Sequence, residues 1–362
     1  MAETQVALLV TKLGEPLSKV SRSIPAPKEG EVLVKVTVAG LNPHDAKSRD
    51  HGLFIKDHLP AILGADVVGV VTSLGPNVTR FKEGDHVFGQ AGLLGPNLGG
   101  YFNFGAPNFD TQGLQEYAIL DIKYSAKVPS GFTDAQMATV PTNCVPAAVA
   151  LFDKSCFGIP APWDPVAAEF DYKGTSLLIL GGGSNTGKFG IQLAALVGIG
   201  KIIVVAGLKG AADAQALGAT HVIDRTLSAT DIAAEVQEIV GDNLIYAFDT
   251  INEPGNQYVG VEALSNTKTG KLARLIPLGP VDVSKLSSQK PAGFDTLDVL
   301  GVSTGSPITT IPLWENIVGW IEEEKLKPTS FQVIKGLDLD IVNKTLDGYS
   351  NGTVTGQWQV HF

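Results

Sequence analysis

Hydrophobic and polar positions along this chain follow two rhythms, and the change falls near residue 134. Before it, residues 32–38 (VLVKVTV) alternate, residues 66–72 (DVVGVVT) are largely β-branched, and residues 86–88 (HVF) follow the turn-like Glu83-Gly84-Asp85. Alternation turns one face of a strand to a core. Short strands punctuated by Gly, Pro and Asn predict a small antiparallel barrel or sandwich. Residues 92–113 carry little charge and much Gly, Asn and Phe, which predicts a surface loop.

Beyond residue 134 the period lengthens. Residues 135–152 have a helical tendency interrupted by Pro141 and Pro146, and residues 158–174 are proline-rich and read as a loop or insertion. Strand patterns at 177–180, 202–206, 221–223, 244–250 and 272–277 then alternate with helical ones at 188–197, 211–217 and near 231–240. That order predicts a parallel, doubly wound sheet. An amphipathic helix at 314–323 and an alternating run at 357–361 follow, the latter a strand able to return to the first domain. No repeat of fixed period appears. The predicted class is α/β, with a β-barrel catalytic domain from residues 1–134 and 311–362 and a Rossmann-type domain from residues 135–310.

Composition narrows the classes. At 362 residues the chain is long for one core. Its formal charge of −10 argues against a nucleic-acid surface, which needs a basic stripe. The opening MAETQVALLVTKL lacks a basic n-region, and no window reaches the roughly 18–20 apolar residues of a membrane span. Two cysteines, Cys144 and Cys156, can form neither a disulfide framework nor a four-ligand zinc site. A reduced cytoplasmic setting without a membrane partner is the expectation.

The candidate chemistry begins at residues 177–198 (LLILGGGSNTGKFGIQLAALVG), an apolar run, a glycine cluster and a helical pattern in unbroken order. Glycines let a backbone take positive φ and approach a pyrophosphate, and the helix behind them offers free N–H groups. Gly182, Gly183, Ser184, Asn185, Thr186 and Gly187 are the candidate cradle, with Ser184 in the middle slot of the G-x-G-x-x-G pattern. The plainer alternative is a glycine-rich turn that binds nothing. About 20 residues on, NAD sites place a carboxylate that accepts the ribose hydroxyls. Here Val205-Ala206-Gly207-Leu208-Lys209 has none, and Lys209 with Arg225 beyond the third strand favours NADPH. Either cation taken alone reads as a solvated surface charge. Thr250, Ile251 and Asn252, with Pro277, Leu278 and Gly279, fall at strand C-termini, where such sheets bind ligand, so their backbones are expected to line the nicotinamide. Ordinary loop structure is the alternative.

Residues 39–50 (AGLNPHDAKSRD), residues 63–71 (LGADVVGVV) and the Gly84-Asp85-His86-Val87 turn, in a barrel placed before a Rossmann-type half, resemble the medium-chain dehydrogenase/reductase superfamily. The resemblance implies a GroES-like catalytic domain. In the family's zinc alcohol dehydrogenases a cysteine falls where Asn42 stands and Gly-His-Glu where Gly64-Ala65-Asp66 stands. Those ligands are missing, the four-cysteine structural lobe is missing too, and no metal site is expected. The chain is similar to the zinc-free quinone oxidoreductase and enoyl reductase branch through Asn42-Pro43-His44-Asp45, and within it to fungal trans-acting enoyl reductases of polyketide assembly. Lys47, the Gly-Gly-x-Ser turn, Tyr246-Ala247-Phe248-Asp249 and Thr355-Gly356 carry that likeness. Three departures stand out: Val145-Pro146 precedes Ala147 where the family has a Ser-Thr before a helical alanine, Trp358 follows Thr355-Gly356-Gln357 where a lysine is common, and Leu53-Phe54 offers no tyrosine proton donor.

The resemblance implies that Asn42 holds the nicotinamide ribose or amide. Lys47 is the candidate donor or proton relay and Asp45 orients the loop. A solvated charge for Lys47 and a turn-stabilising carboxylate for Asp45 are the alternatives, and water can supply the α-proton. Three functions stay open. The first is an NADPH-dependent reductase of an activated C=C bond in an enone, enal or enoyl thioester, small or carrier-bound. The second is a zinc-independent aldehyde or ketone reductase, and the third an NADPH-binding protein with negligible turnover. Either a monomer or a homodimer suits each of them.

Overall fold

The computed structural model describes residues 3–92 and 108–362. They form two compact units. One holds the described residues up to Thr142 together with Val302–Glu323 and Pro328–Phe362; the other is Asn143–Gly301 with Glu324–Lys327. Most of the stretch expected as a surface loop, at 93–107, lies outside the described residues.

The first unit opens with β1 (Thr4–Val10), β2 (Ser18–Ser23) and β3 (Glu31–Leu41), then helix α1 (Pro43–His51). β4 (Ala61–Ile62), β5 (Asp66–Leu74), β6 (His86–Gln90), β7 (Tyr117–Asp121), β8 (Ser125–Lys127) and the short α2 (Asp134–Met137) follow. β2, β1 and β4 make one small sheet. β3 is the spine of the larger one: Val32, Val34, Val36 and Val38 are buried while Lys35 faces solvent, as the alternation predicts. It pairs antiparallel with β5 and β7.

Helix α3 (Pro141–Phe152) leads into the second unit. There β9 (Ser176–Leu180), β10 (Lys201–Ala206), β11 (His221–Asp224), β12 (Tyr246–Asp249), β13 (Gly270–Arg274) and β14 (Phe294–Asp298) alternate with α4 (Asn185–Leu196), α5 (Ala211–Ala216), α6 (Ala229–Val240) and α7 (Tyr258–Ala263). All six strands are parallel, in the order β11-β10-β9-β12-β13-β14. The order reverses between β9 and β12, the point where open α/β sheets bind ligands. Leu177, Leu178, Ile179 and Leu180 are all buried because helices cover both faces. Gly190 of α4 packs on Ile179 and Phe248, whereas Gly260 of α7 packs on Leu180, Ala247 and Leu272, the opposite face. The expected mixed α/β architecture is what the chain adopts.

The chain then returns to the first unit through α8 (Pro307–Glu322), β15 (Phe331–Lys335), α9 (Leu339–Asn351) and β16 (Gln357–His361). β16 pairs antiparallel with β3, so the terminal strand rejoins the larger sheet of the first unit as its alternation suggested. α8 begins seven residues before the amphipathic stretch, with Pro307 at a first-turn position where the missing N–H costs nothing. Among the described residues no helix is long and apolar enough to cross a membrane.

Candidate functional site

In the second unit the glycine turn sits between β9 and α4. Gly181 has φ of 81°, and a side chain on it would run into Thr250 and Ile251. A Cβ on Gly182 would invade Val204, and one on Gly187 would meet the backbone of Gly181 and Gly182. Gly183 faces open space. The turn is thus packed on its inner side and clear on its outer one. α4 starts at Asn185, earlier than the apolar period alone indicates, because Ser184 caps it: Ser184 Oγ accepts from Gly187 N at 3.0 Å. Thr250 Oγ1 lies 2.8 Å from Leu180 O, so its proton goes there and Ser184 supplies the 2.9 Å hydroxyl–hydroxyl bond. Ser184 and Thr250 therefore hold the turn's shape. The N–H groups of Gly183, Asn185 and Thr186 meet no backbone acceptor among the described residues, which is the donor set a phosphate requires.

At the end of β10 the Nε of Arg225 stands 3.7 Å from where a Cβ on Gly207 would lie. A cation occupies the place where an NAD site puts its carboxylate. Lys209 and Arg225 are both exposed, with Lys209 on the single turn after β10. Past β12, Asp249 Oδ1 accepts from Asn252 N at 2.9 Å and its Oδ2 from Asn252 Nδ2 at 2.9 Å. Burial pushes the Asp249 carboxyl up from its ordinary range. Ile251 and Leu278 are 46% and 65% exposed, large apolar side chains in the open at strand C-termini. The structure brings Gly182–Gly187, Thr250 and Ile251 together around one turn, Arg225 to Gly207, and leaves Leu278 and Gly279 on the loop after β13.

The first unit carries a different kind of group. Asn42 follows β3 and caps α1, whose first turn Asp45 closes by accepting from Asn42 N at 2.8 Å. The other Asp45 oxygen accepts from Gly64 N at 3.0 Å. Asp45 is buried and clasps two backbone segments. Asn42 Nδ2 donates to Asp66 Oδ2 at 2.7 Å. Asp66 also accepts from Thr142 N at 2.6 Å and Gln357 Nε2 at 2.9 Å. Fully buried, its carboxyl is pushed up to about 6, the hydrogen bonds opposing that shift only in part. Lys47 is half-buried on α1. Thr142 and Gln357 escaped the sequence reading; the only signal was the Gln that follows Thr355-Gly356.

A metal fits this donor set poorly. Asp66 already accepts three N–H donors, and among the described residues no group of three or more His, Cys, Asp or Glu could hold a metal ion.

The alcohol dehydrogenase GroES-like domain family matches residues 28–130, and the zinc-binding dehydrogenase family matches residues 186–321. The chain belongs to the medium-chain dehydrogenase/reductase superfamily. It is an oxidoreductase. Among the similar members of the superfamily, Dehydrogenase orsE of Emericella nidulans is 28% identical, over 96% of this chain and 95% of that protein. Trans-enoyl reductase grgB of a Penicillium species is 28% identical over 74% and 69%. The NADPH-dependent alkenal/one oxidoreductase, chloroplastic, of Arabidopsis thaliana is 33% identical over 60% and 51%. A putative zinc-dependent alcohol dehydrogenase of Rhizobium etli shares the fold with a TM-score of 0.78 at 20% identity, over 100% and 99% of the two chains.

Proposed function

We propose that this superfamily member is an NADPH-dependent reductase that adds hydride to the C=C bond of an enone, enal or enoyl thioester without zinc. The observation that carries the cofactor choice is Arg225 above Gly207, beside a strand end with no carboxylate. Relatives whose names specify a trans-enoyl reductase and an NADPH-dependent alkenal/one oxidoreductase support the C=C substrate. The donor set around Asp66, which fits no metal, supports zinc independence.

Bound NADPH supplies the hydride from its nicotinamide ring. Gly182, Gly183, Asn185, Thr186 and Gly187 admit the pyrophosphate, with Ser184 capping α4 behind them. Lys209 and Arg225 pair with the 2′-phosphate, and Thr250, Ile251, Leu278 and Gly279 border the nicotinamide. Asn42 hydrogen-bonds the ribose or amide, its orientation set by Asp66 and by the Asp45 clasp. Reduction places enolate charge on the substrate oxygen, and Lys47 is the donor or proton relay for it. The substrate is a small or carrier-bound unsaturated carbonyl, the protein acts as monomer or homodimer, and its buried free thiols Cys144 and Cys156 suit a reducing cytoplasm.

The test is NADPH oxidation with enones, enals, enoyl thioesters, quinones and saturated aldehydes, with product analysis on a conjugated enal. Saturation of the C=C bond is expected. Consumption of saturated aldehydes alone would make the protein a carbonyl reductase, and tight NADPH binding without turnover would make it a cofactor-binding protein.

A further inference from the structure

Strands β12, β13 and β14 end side by side, and beyond their last ladder bonds the loops need support of their own. Besides Asp249, which holds Asn252, two buried side chains provide it. Gln257, fully buried before α7, donates from Nε2 to Asn252 O at 3.0 Å and to Ile276 O at 2.8 Å. Its Oε1 accepts from Arg274 Nη1 at 2.9 Å, and the same nitrogen reaches Gly279 O at 2.6 Å. Arg274, the last residue of β13, donates from Nε to Asp298 Oδ1 at 2.6 Å, and Asp298 is the last residue of β14. One chain of bonds thus ties the loop after β12, the loop after β13 and the end of β14.

We propose that Gln257 and Arg274 are positioning residues for the nicotinamide half of the cofactor. They act through the backbone at residues 251–252 and 276–279; the inference rests on the cofactor reading above. Leu278, 65% exposed, gives the loop after β13 little anchoring of its own. A buried guanidinium–carboxylate pair is a poor way merely to stabilise a sheet edge, because well-packed apolar residues often do as well or better. What the fork of Arg274 adds is geometry: it fixes Gly279 O relative to Gln257, and Gln257 fixes both loops relative to each other.

The experiment compares calorimetric binding of NADPH and of 2′,5′-ADP, which lacks the nicotinamide half, to wild type, Gln257→Met and Arg274→Met. NADPH affinity is expected to fall about tenfold in each variant while 2′,5′-ADP affinity stays within about twofold. Arg274→Lys, which keeps a cation beside Asp298 but loses the fork, replaces Arg274→Met if that variant does not fold, and the same selective loss is expected. Equal weakening of both ligands would reduce the brace to general stability and overturn the proposal, as would unchanged binding of both. Wild type that binds neither ligand would overturn the cofactor reading and this inference with it, whereas a binding wild type with unselective variants overturns the brace alone.

Discussion

The turn after β9 and the cluster around Asp66 are built on opposite plans. The turn is made of backbone: seven consecutive residues, three glycines whose added Cβ atoms would strike the protein, and amide groups left facing outward. The cluster is made of side chains gathered from far apart, with Gln357 and Asp66 separated by 291 positions, and the Asp66 carboxylate takes donors from Asn42, Thr142 and Gln357. A backbone site needs only short local sequence and leaves its donors free for a ligand. A side-chain cluster uses its donors internally, so it shapes its surroundings more readily than it binds.

Replacing Gly187 by Val tests the backbone plan with the largest effect. The side chain would meet Gly181 O and lie 2.9 Å from Gly182 Cα, and NADPH affinity should fall by at least about a hundredfold. Fluorescence titration checks it, and unimpaired binding would remove the turn from the cofactor site. Gly183→Ala sharpens the result: the open space there predicts an unchanged melting temperature, so any loss of binding reports the ligand itself.

The double substitution Lys209→Ala with Arg225→Ala comes next. NADPH affinity should drop by about ten- to a hundredfold while NADH affinity is unchanged. Parallel loss of both cofactors in the same titration would show that these cations do not read the 2′-phosphate.

Asp66 gives the cluster its own test through pH. Its folded pKa of about 6 lies above the unfolded value near 4. Between the two the folded state keeps a proton that the unfolded state has released. Stability from this group is therefore present below about pH 4, declines as pH rises through 6, and is level above. The size is about 1–3 kcal/mol. Urea unfolding at pH 4.5, 5.5 and 7 should show that slope in wild type and a flatter one in Asp66→Asn; equal slopes would assign the dependence elsewhere.

Smallest is Ser184→Ala. Loss of the α4 cap should cost about 0.5–2 kcal/mol in thermal or urea unfolding, and a change below that range would mean the turn holds its shape without the hydroxyl.

The comparison also explains what was legible. β3, β5 and β9 to β13 are visible as patterns because burial on one face or two imposes a period on consecutive residues. α9 was missed although Asp338 and Gly352 bracket it as cap and C-terminal glycine, since two of its buried positions, Thr345 and Gly348, carry no apolar signal. β14 was missed because as an edge strand it is only partly buried and keeps two aspartates. At the site, the glycine turn and the absent carboxylate were readable, being local. Thr142, Gln357, Gln257 and Arg274 were not, because no local pattern marks a polar residue whose partner lies on another strand.

By itself, then, the sequence determined the alternation of strands and helices, the glycine turn after Leu180, and an Asn42-Pro43-His44-Asp45 run with neither cysteine nor histidine at positions 42 and 65, each a property of neighbouring residues. Only the tertiary structure decided that Ser184 caps α4 while bonding Thr250, that Asp45 clasps Gly64, and that Asp66 collects three donors from distant segments. Hydrophobic period is written along the chain, whereas hydrogen-bond partnership between buried polar groups is settled by which elements the fold packs together.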